Sequence, residues 1–413
     1  MNKGHILMPR YCAILIVILF CAIPASASQD TLRIYIDADF TTVKSAAEAI
    51  EQGMRTALDE VDNSLVGHRV EIVRKNHRGS SPRSKSHLRQ YLADEKALAV
   101  FAGLHSPPLL AHRDYINEEE VLLLDPWAAA GPITRYPSSE NWIFRLSIDD
   151  TKAGHVIAQY AVRDQGYKRP YLLLENTGWG VSNEQTMRAA LKEMGIVPAG
   201  VERFSWNLSK PRARALIRAA TTFSADVILL VANAPEAKML IAEMADMGIH
   251  IPICSHWGIT GGDFTNVIDA PMRAKIPLAF IQTHFSFLDV SPGSWQHDVL
   301  GRAKALFPNQ IKSAKDIRAP TGFIHAYDLT KIFIAAVEQA GLSGDIRADR
   351  RNIRAALEQL DKPIRGLLKT YTQPYTVFGP DAPDAHEALG QEDFGMARYG
   401  AEGEIILLTN QRD

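Results

Sequence analysis

The sequence predicts an α/β protein built from two Rossmann-like lobes with parallel sheets. Near-continuous apolar runs of strand length alternate with amphipathic helices, the pattern of parallel sheets covered on both faces. The alternation restarts after Ser147, so one α/β unit is followed by a second. A length of 413 residues suits two or three domains of about 100–200 residues each.

The first unit opens with a strand at 31–36 that runs into polar Asp37-Ala38-Asp39. Val43, Ala46, Ala47, Ile50, Met54, Leu58 and Val61 then recur mostly three or four apart, which places them on one helix face. A strand at 70–73 follows, then a helix through Leu88, Tyr91 and Leu92, an apolar strand at 97–102, a helix from Pro107-Pro108 and a strand at 121–124. In the second unit, helices at 150–163, 184–194, 211–222 and 236–247 alternate with strands at 170–174, 201–204, 227–231 and 251–254. The last third is less regular: a strand at 278–282, helices at 295–306, 322–340 and 351–360, and short strands at 396–399 and 404–408. Neither unit completes a sheet without these late pieces, so the chain is expected to cross between its lobes several times.

The first 27 residues read as a leader outside the fold. Lys3 and Arg10 form a positive n-region, 12–23 is unbroken apolar sequence, and Pro24 ends it before Ala25-Ser26-Ala27, the small residues signal peptidase accepts. An apolar run of about 12 residues falls short of the roughly 20 that span a bilayer. The expectation is export to the periplasm, cleavage after Ala27 and a mature chain not embedded in a membrane. Cys12 and Cys21 leave with the leader, so Cys254 stands alone and core packing holds the mature chain. A net charge of −2, near −4 once Lys3 and Arg10 are gone, gives no reason to expect nucleic acid as a partner.

Several segments, in order, resemble the periplasmic solute-binding proteins of type I fold, in the leucine/isoleucine/valine-binding branch of branched-chain amino acid ABC transporters. Trp142-Ile143-Phe144-Arg145 with Asp150 and Gly154 resembles the family's F-R-x-x-x-x-D-x-x-x-G segment. Gly166-Tyr167-Lys168-Arg169 before Leu172-Leu173-Leu174-Glu175 resembles the opening of its second lobe. Ala225-Asp226-Val227-Ile228, Met247-Gly248-Ile249 with Pro252, and Phe394-Gly395-Met396 with Gly403-Glu404 resemble its later β-α-β unit and closing hairpin. The resemblance covers essentially the whole mature chain. It implies two lobes joined by a three-crossover hinge, with the ligand cleft between them. The N-terminal lobe would hold 28–147 and 283–363, the C-terminal lobe 148–282, and 364–413 would return through the hinge to complete the second lobe. It further implies a monomeric binding protein, not an enzyme, that closes on a small organic ligand and delivers it to an inner-membrane permease. Two other roles stay open: a receptor subunit for a sensor kinase, and a carrier of a lipid-like molecule in a non-ABC envelope system.

The resemblance also implies ligand positions. Ser106 in Gly103-Leu104-His105-Ser106 matches a hydroxyl that holds a ligand carboxylate, while Ala129 takes the place of the second hydroxyl, a Thr. Trp257 stands where an acidic residue usually holds an ammonium group, Trp179 fits an aromatic lying over the ligand, and Asn233 replaces a second aromatic. Trp127, Trp179 and Trp257 converge on the expected cleft mouth, with His105 and His256 available for orienting hydrogen bonds. An ammonium left without an acidic partner in a closed cleft costs several kcal/mol. The residues therefore point to a flatter, less polar ligand: an aromatic acid, an aromatic amine or a lipid-like compound. Structural roles compete at several of these positions: Ser106 suits the cap of a helix starting at Pro107, Trp127 and Trp179 suit loop packing, His105 and His256 suit satisfied structural histidines, and Asp37 and Asp39 suit loop caps.

Catalytic signatures are missing from the sequence. His386-Glu387-Ala388-Leu389-Gly390 begins like a zinc-protease helix without its second His, and His250 and His256 are poorly spaced for a metal. Gly258-Ile259-Thr260-Gly261-Gly262 lacks the strand–loop–helix context of a phosphate cradle and reads as a flexible cleft loop. Cys254, ending an apolar strand, reads as a buried inert thiol. No cofactor and no metal are expected.

Overall fold

The structure is a computed structural model that describes residues 31–138 and 140–408, with positions 1 and 4. The leader and its cleavage site lie outside the described residues. The first lobe runs β1 (Leu32–Ala38), α1 (Lys44–Asp59), β2 (Ser64–Leu65), β3 (His68–Asn76), α2 (Ser81–Ala93), β4 (Ala97–Ala102), α3 (Ser106–Glu118), β5 (Leu123–Asp125) and β6 (Ile143–Arg145). The chain then crosses to the second lobe through α4 (Asp150–Gln159), β7 (Pro170–Glu175), α5 (Gly178–Glu193), β8 (Gly200–Phe204), α6 (Lys210–Thr222), β9 (Val227–Val231) and α7 (Ala234–Asp246). That lobe continues with β10 (Ile253–Ser255), α8 (Phe264–Val267), α9 (Ala270–Lys275) and β11 (Leu278–Thr283). A second crossing returns it for α10 (Trp295–Leu306), α11 (Pro320–Ala340), α12 (Ile346–Glu358) and the ribbon of β12 (Ile364–Arg365) and β13 (Thr370–Tyr371). A third delivers β14 (Phe394–Tyr399) and β15 (Ile405–Leu407) to the second sheet.

The sheet orders are β2-β3-β1-β4-β5-β6 and β15-β14-β11-β10-β9-β7-β8. Both sheets are mixed rather than wholly parallel: β2 runs antiparallel to β3, β14 to β11, and β15 to β14. The turns between β2 and β3 and between β14 and β15 are too short for a parallel crossover, which needs a dozen residues or more. Within each parallel core the order reverses beside the first strand, giving β3-β1-β4 and β8-β7-β9. At such switch points the loops after neighbouring strands splay apart and leave a crevice.

The core helices follow from their faces. Ala46, Ala47, Ile50, Met54 and Leu58 of α1 are buried, and α11 is buried nearly all round. Gly53 lets the two helices close on each other; a Cβ there would lie 2.2 Å from the Phe323 carbonyl oxygen. Three departures from the sequence expectation bear on the hinge and the cleft. β6 has no counterpart in it, and α5 begins at Gly178, capped by Thr177, so Trp179 sits in a helix's first turn. The segment Trp257–Gly261 is a fully buried 3₁₀ turn, not a flexible loop, because it packs against α1 and α7. Cys254 is buried, and burial pushes its thiol up to about 12. No helix among the described residues is long and apolar enough to cross a membrane.

The crossing segments are stitched to one another. Arg145 N–H donates to the His386 carbonyl and the Arg145 carbonyl accepts from Ala388 N–H, joining the first and third crossings. His284 N–H donates to the Asp393 carbonyl, joining the second and third. The fully buried Arg145 guanidinium then binds the Glu387 carboxylate through Nε (3.0 and 2.9 Å) and Nη2 (2.6 Å), and Asp149 at 3.1 Å. Its Nη1 donates to the carbonyls of Ala128 (3.1 Å) and Ala130 (2.9 Å). Burial alone would lower the pKa of Arg145, and Glu387 and Asp149 more than reverse that. Arg145→Ala strands two carboxylates and two carbonyls, so urea unfolding should report a loss of about 3–5 kcal/mol. A loss under about 1 kcal/mol would place the cluster with weak surface pairs.

Candidate functional site

The two switch points face each other across the lobes, and the segments after β4, β5, β7, β8, β9 and β10 line one cavity between them. Its wall is Leu104, His105, Ser106, Pro107, Trp127, Ala128, Ala129, Glu175, Trp179, Trp206, Asn233 and Trp257. The cavity holds about 20 Å³, room for one water. Seven of the eight residues singled out in the sequence meet here; His256 lies behind the wall. The lobes touch around it: Ser45 Oγ donates to Asp263 Oδ1 (2.9 Å), and Gly131 N–H to Ser182 Oγ (3.1 Å).

On the first-lobe side, His105 precedes α3 and pairs through Nε2 with Asp39 Oδ2 at 3.2 Å. Asp39 is itself fixed, its Oδ1 accepting from the N–H groups of Thr41 and Thr42. Burial works to raise the Asp39 carboxyl, but His105 and the two backbone donors hold it below the usual carboxylate range. Ser106 is the first residue of α3 and not its cap, which corrects the capping alternative. Its Oγ accepts from Ala130 N–H at 3.3 Å and ties α3 to the loop after β5. Trp127 and Ala128 donate their N–H groups to Asp125 Oδ1, and the Trp127 carbonyl accepts from Ser147 Oγ. The Ala129 carbonyl accepts from Asp150 N–H, the first residue of α4.

On the second-lobe side, Asn233 precedes α7 and gives no side-chain cap. Its N–H and Nδ2 both donate to Glu175 Oε1 at 2.8 Å. The other oxygen of Glu175 accepts from Trp206 Nε1 at 2.7 Å. Burial pushes the Glu175 carboxyl up to about 7 against the pull of these bonds. Trp257 begins the buried 3₁₀ turn, and Trp179 has an indole N–H without a partner. His256 is wholly buried, with Nε2 on Asp150 Oδ1 at 2.9 Å and its ring 4.1 Å from Trp257 and 4.9 Å from Trp179. It therefore positions two cavity rings from behind, rather than offering its own nitrogens to the cavity.

Aromatic contacts cross the gap. Trp127 meets Trp257 edge to face at 6.2 Å, and His105 lies 5.2 Å from Trp206. Sequence reasoning misses Glu175 and Trp206, because Glu175 reads there only as the end of a strand. A signal for it exists in principle: the carboxyl end of the first strand of a doubly wound unit is a switch-point position. No cluster of three or more metal-ligating side chains occurs among the described residues. The wall holds no nucleophile paired with a base; its equipment is four indoles, a hydroxyl, an imidazole, a carboxamide and one carboxyl.

The sequence model of the family described as periplasmic binding protein matches residues 38–386. No curated protein matches the chain. Among solved structures, a periplasmic binding protein type 1 from Bordetella pertussis Tohama I superposes with a TM-score of 0.75 at 16% identity, over 92% of this chain and 100% of that one. The branched-chain amino acid substrate-binding protein LivJ from Streptococcus pneumoniae, in complex with isoleucine, gives 0.71 at 18% over 92% and 100%. An ABC-transporter solute-binding protein from R. palustris, in complex with 4-hydroxybenzoate, gives 0.72 at 15% over 92% and 96%. At such identities these likenesses establish the fold.

The buried carboxyl has a measurable consequence. With its folded pKa near 7, Glu175 binds a proton in the folded chain that the unfolded chain has released above about 4.5. Its stabilising contribution is complete at low pH and is lost as pH rises through 7. Denaturant unfolding of wild type and Glu175→Gln should therefore diverge, the variant gaining about 3 kcal/mol on wild type between pH 4.5 and pH 8. A difference that stays flat with pH would mean that folding does not raise the Glu175 pKa.

Proposed function

The chain belongs to the periplasmic binding protein family, and on that premise we propose that it is an exported substrate-binding protein that captures a small organic ligand by lobe closure and delivers it to an ABC importer. The positive n-region, the short apolar run and Ala25-Ser26-Ala27 support export with cleavage after Ala27. The moving bodies are the first lobe, with α10 to α12 and the β12–β13 ribbon, and the second lobe, completed by β14 and β15 after the hinge return.

One observation carries the reading: the cavity wall is divided between the lobes. His105, Ser106, Trp127 and Ala129 come from the first, and Glu175, Trp179, Trp206, Asn233 and Trp257 from the second. A molecule between them touches both bodies, so its binding energy favours the closed state, and a permease can tell closed from open. The hinge supplies the motion, and parting the lobes separates Trp127 from Trp257.

The ligand is less polar than a branched-chain amino acid. Ala129 offers no hydroxyl, and indole surface dominates the wall. Similar proteins hold isoleucine in one case and 4-hydroxybenzoate in another, so aromatic compounds lie within the reach of this fold. The test is mass spectrometry of the organic extract from protein purified from its native envelope. An aromatic or otherwise apolar compound should appear near one equivalent with wild type and fall at least tenfold with Trp179→Ala. Recovery of leucine, isoleucine or valine would overturn the ligand assignment.

A further inference from the structure

The polar chemistry of the cleft is one-sided. Its wall contains one carboxyl, Glu175, and no Lys or Arg. Glu175 Oε1 is occupied twice by Asn233, whereas Oε2 has the single partner Trp206 Nε1. A carboxylate offers about four lone-pair positions, so Oε2 keeps one for a further donor. Trp127, Trp179, Trp206 and Trp257 share the wall with it, and the negative face of an indole attracts a cation, most strongly where water is excluded.

The groups that would receive an anion are few and neutral. Asp125 takes the N–H groups of Trp127 and Ala128, Ser106 Oγ takes that of Ala130, and position 129 has no hydroxyl, which leaves the Ser106 O–H and the unpartnered Trp179 indole N–H as donors. The His105 imidazole is turned to Asp39. A ligand carboxylate would enter beside Glu175 with no Lys or Arg on the wall to meet it and the one imidazole paired with Asp39, an arrangement that is costly in a desolvated site.

Resting on the function proposed above, we propose that the ligand binds as a monocation: an aromatic or alkyl amine, or a methylated ammonium, with its charged head between Glu175 Oε2 and the indole rings. The acid missing at position 257 is thus supplied from β7, while the carboxylate side of a zwitterion site is not rebuilt. A second acid reinforces the sign of the field. Glu236, on α7, accepts from Asn207 N–H and lies close enough to raise the Glu175 carboxyl further. The titratable groups that act on Glu175 from the neighbouring elements are Glu236 from α7 and His105 from the start of α3. The hydrogen-bonding groups are Asn233 and the loop residue Trp206.

The experiment is calorimetric titration of the mature protein, freed of extractable ligand, with benzyltrimethylammonium, benzoate and isoleucine. The first keeps its charge at every pH. It should bind at least tenfold more tightly than the other two. Its affinity should rise about tenfold from pH 6 to pH 8 as Glu175, near 7 when unliganded, gives up its proton. Glu175→Gln should lose that preference and that pH dependence while remaining folded by circular dichroism. The pH series on wild type stands by itself if the variant does not fold. Tighter binding of benzoate or isoleucine would overturn the cation while leaving a solute-binding protein. Failure of all three to bind would also overturn it, and an empty native extract as well would remove the function on which it rests.

Discussion

A guanidinium with no exposed surface organises the hinge. Arg145 takes up a carboxylate from the third crossing, a second carboxylate at the start of α4, and two carbonyls from the loop that forms one cavity wall. Buried ion pairs are weak sources of net stability, yet removing one partner is costly because the rest are left desolvated. The cluster therefore fixes geometry. Asp149 also caps α4 and pairs with Arg135, which in turn holds Asp384 on the returning segment. The Ala128–Ala130 wall and the path between the lobes are set by the same few hydrogen bonds, so wall position and hinge posture are linked.

The cavity follows from the sheets. In each lobe the strand order reverses beside the first strand, and the loops beyond that point are the ones free to splay. The first lobe places His105 and Ser106 there, the second Glu175 and Asn233. Four indoles fill what remains, three from the second lobe and Trp127 from the first. His256, locked to Asp150, braces Trp179 and Trp257 from behind. Aromatic mass on both bodies with an acid on one makes a site whose polarity is local and whose shape depends on closure.

The strongly patterned elements are legible in the sequence. The apolar runs at Ala97–Ala102 and Val227–Val231 and the helix Trp295–Leu306 have the limits their sequence implies. Strands of two or three residues, such as β6 and β12, are too short to show a period and are held by their neighbours. The start of α5 is hidden because Gly178-Trp179-Gly180 carries no apolar rhythm, and the Thr177 cap alone marks it. In the cleft, the positions after β4, β5, β9 and β10 are readable as ends of strands. Glu175 reads as the end of a strand but not as part of the site, and Trp206 not at all, because their place depends on β7 lying between β8 and β9, a pairing that no local pattern encodes. The acid absent from position 257 therefore makes the cleft look less polar than it is, since its counterpart sits some eighty residues earlier in sequence and is adjacent only in space.

The central claim is that the two halves of this wall belong to bodies that part and close. Spin labels at Lys44 and Asn266, both exposed and on opposite lobes near the Ser45–Asp263 contact, report that motion by pulsed dipolar spectroscopy. Cys254 is buried away from the labelling reagent. Protein carrying its native ligand should show one short distance, and the same protein after extraction should gain a longer, broader population. An identical distribution before and after would contradict a cleft that works by closure.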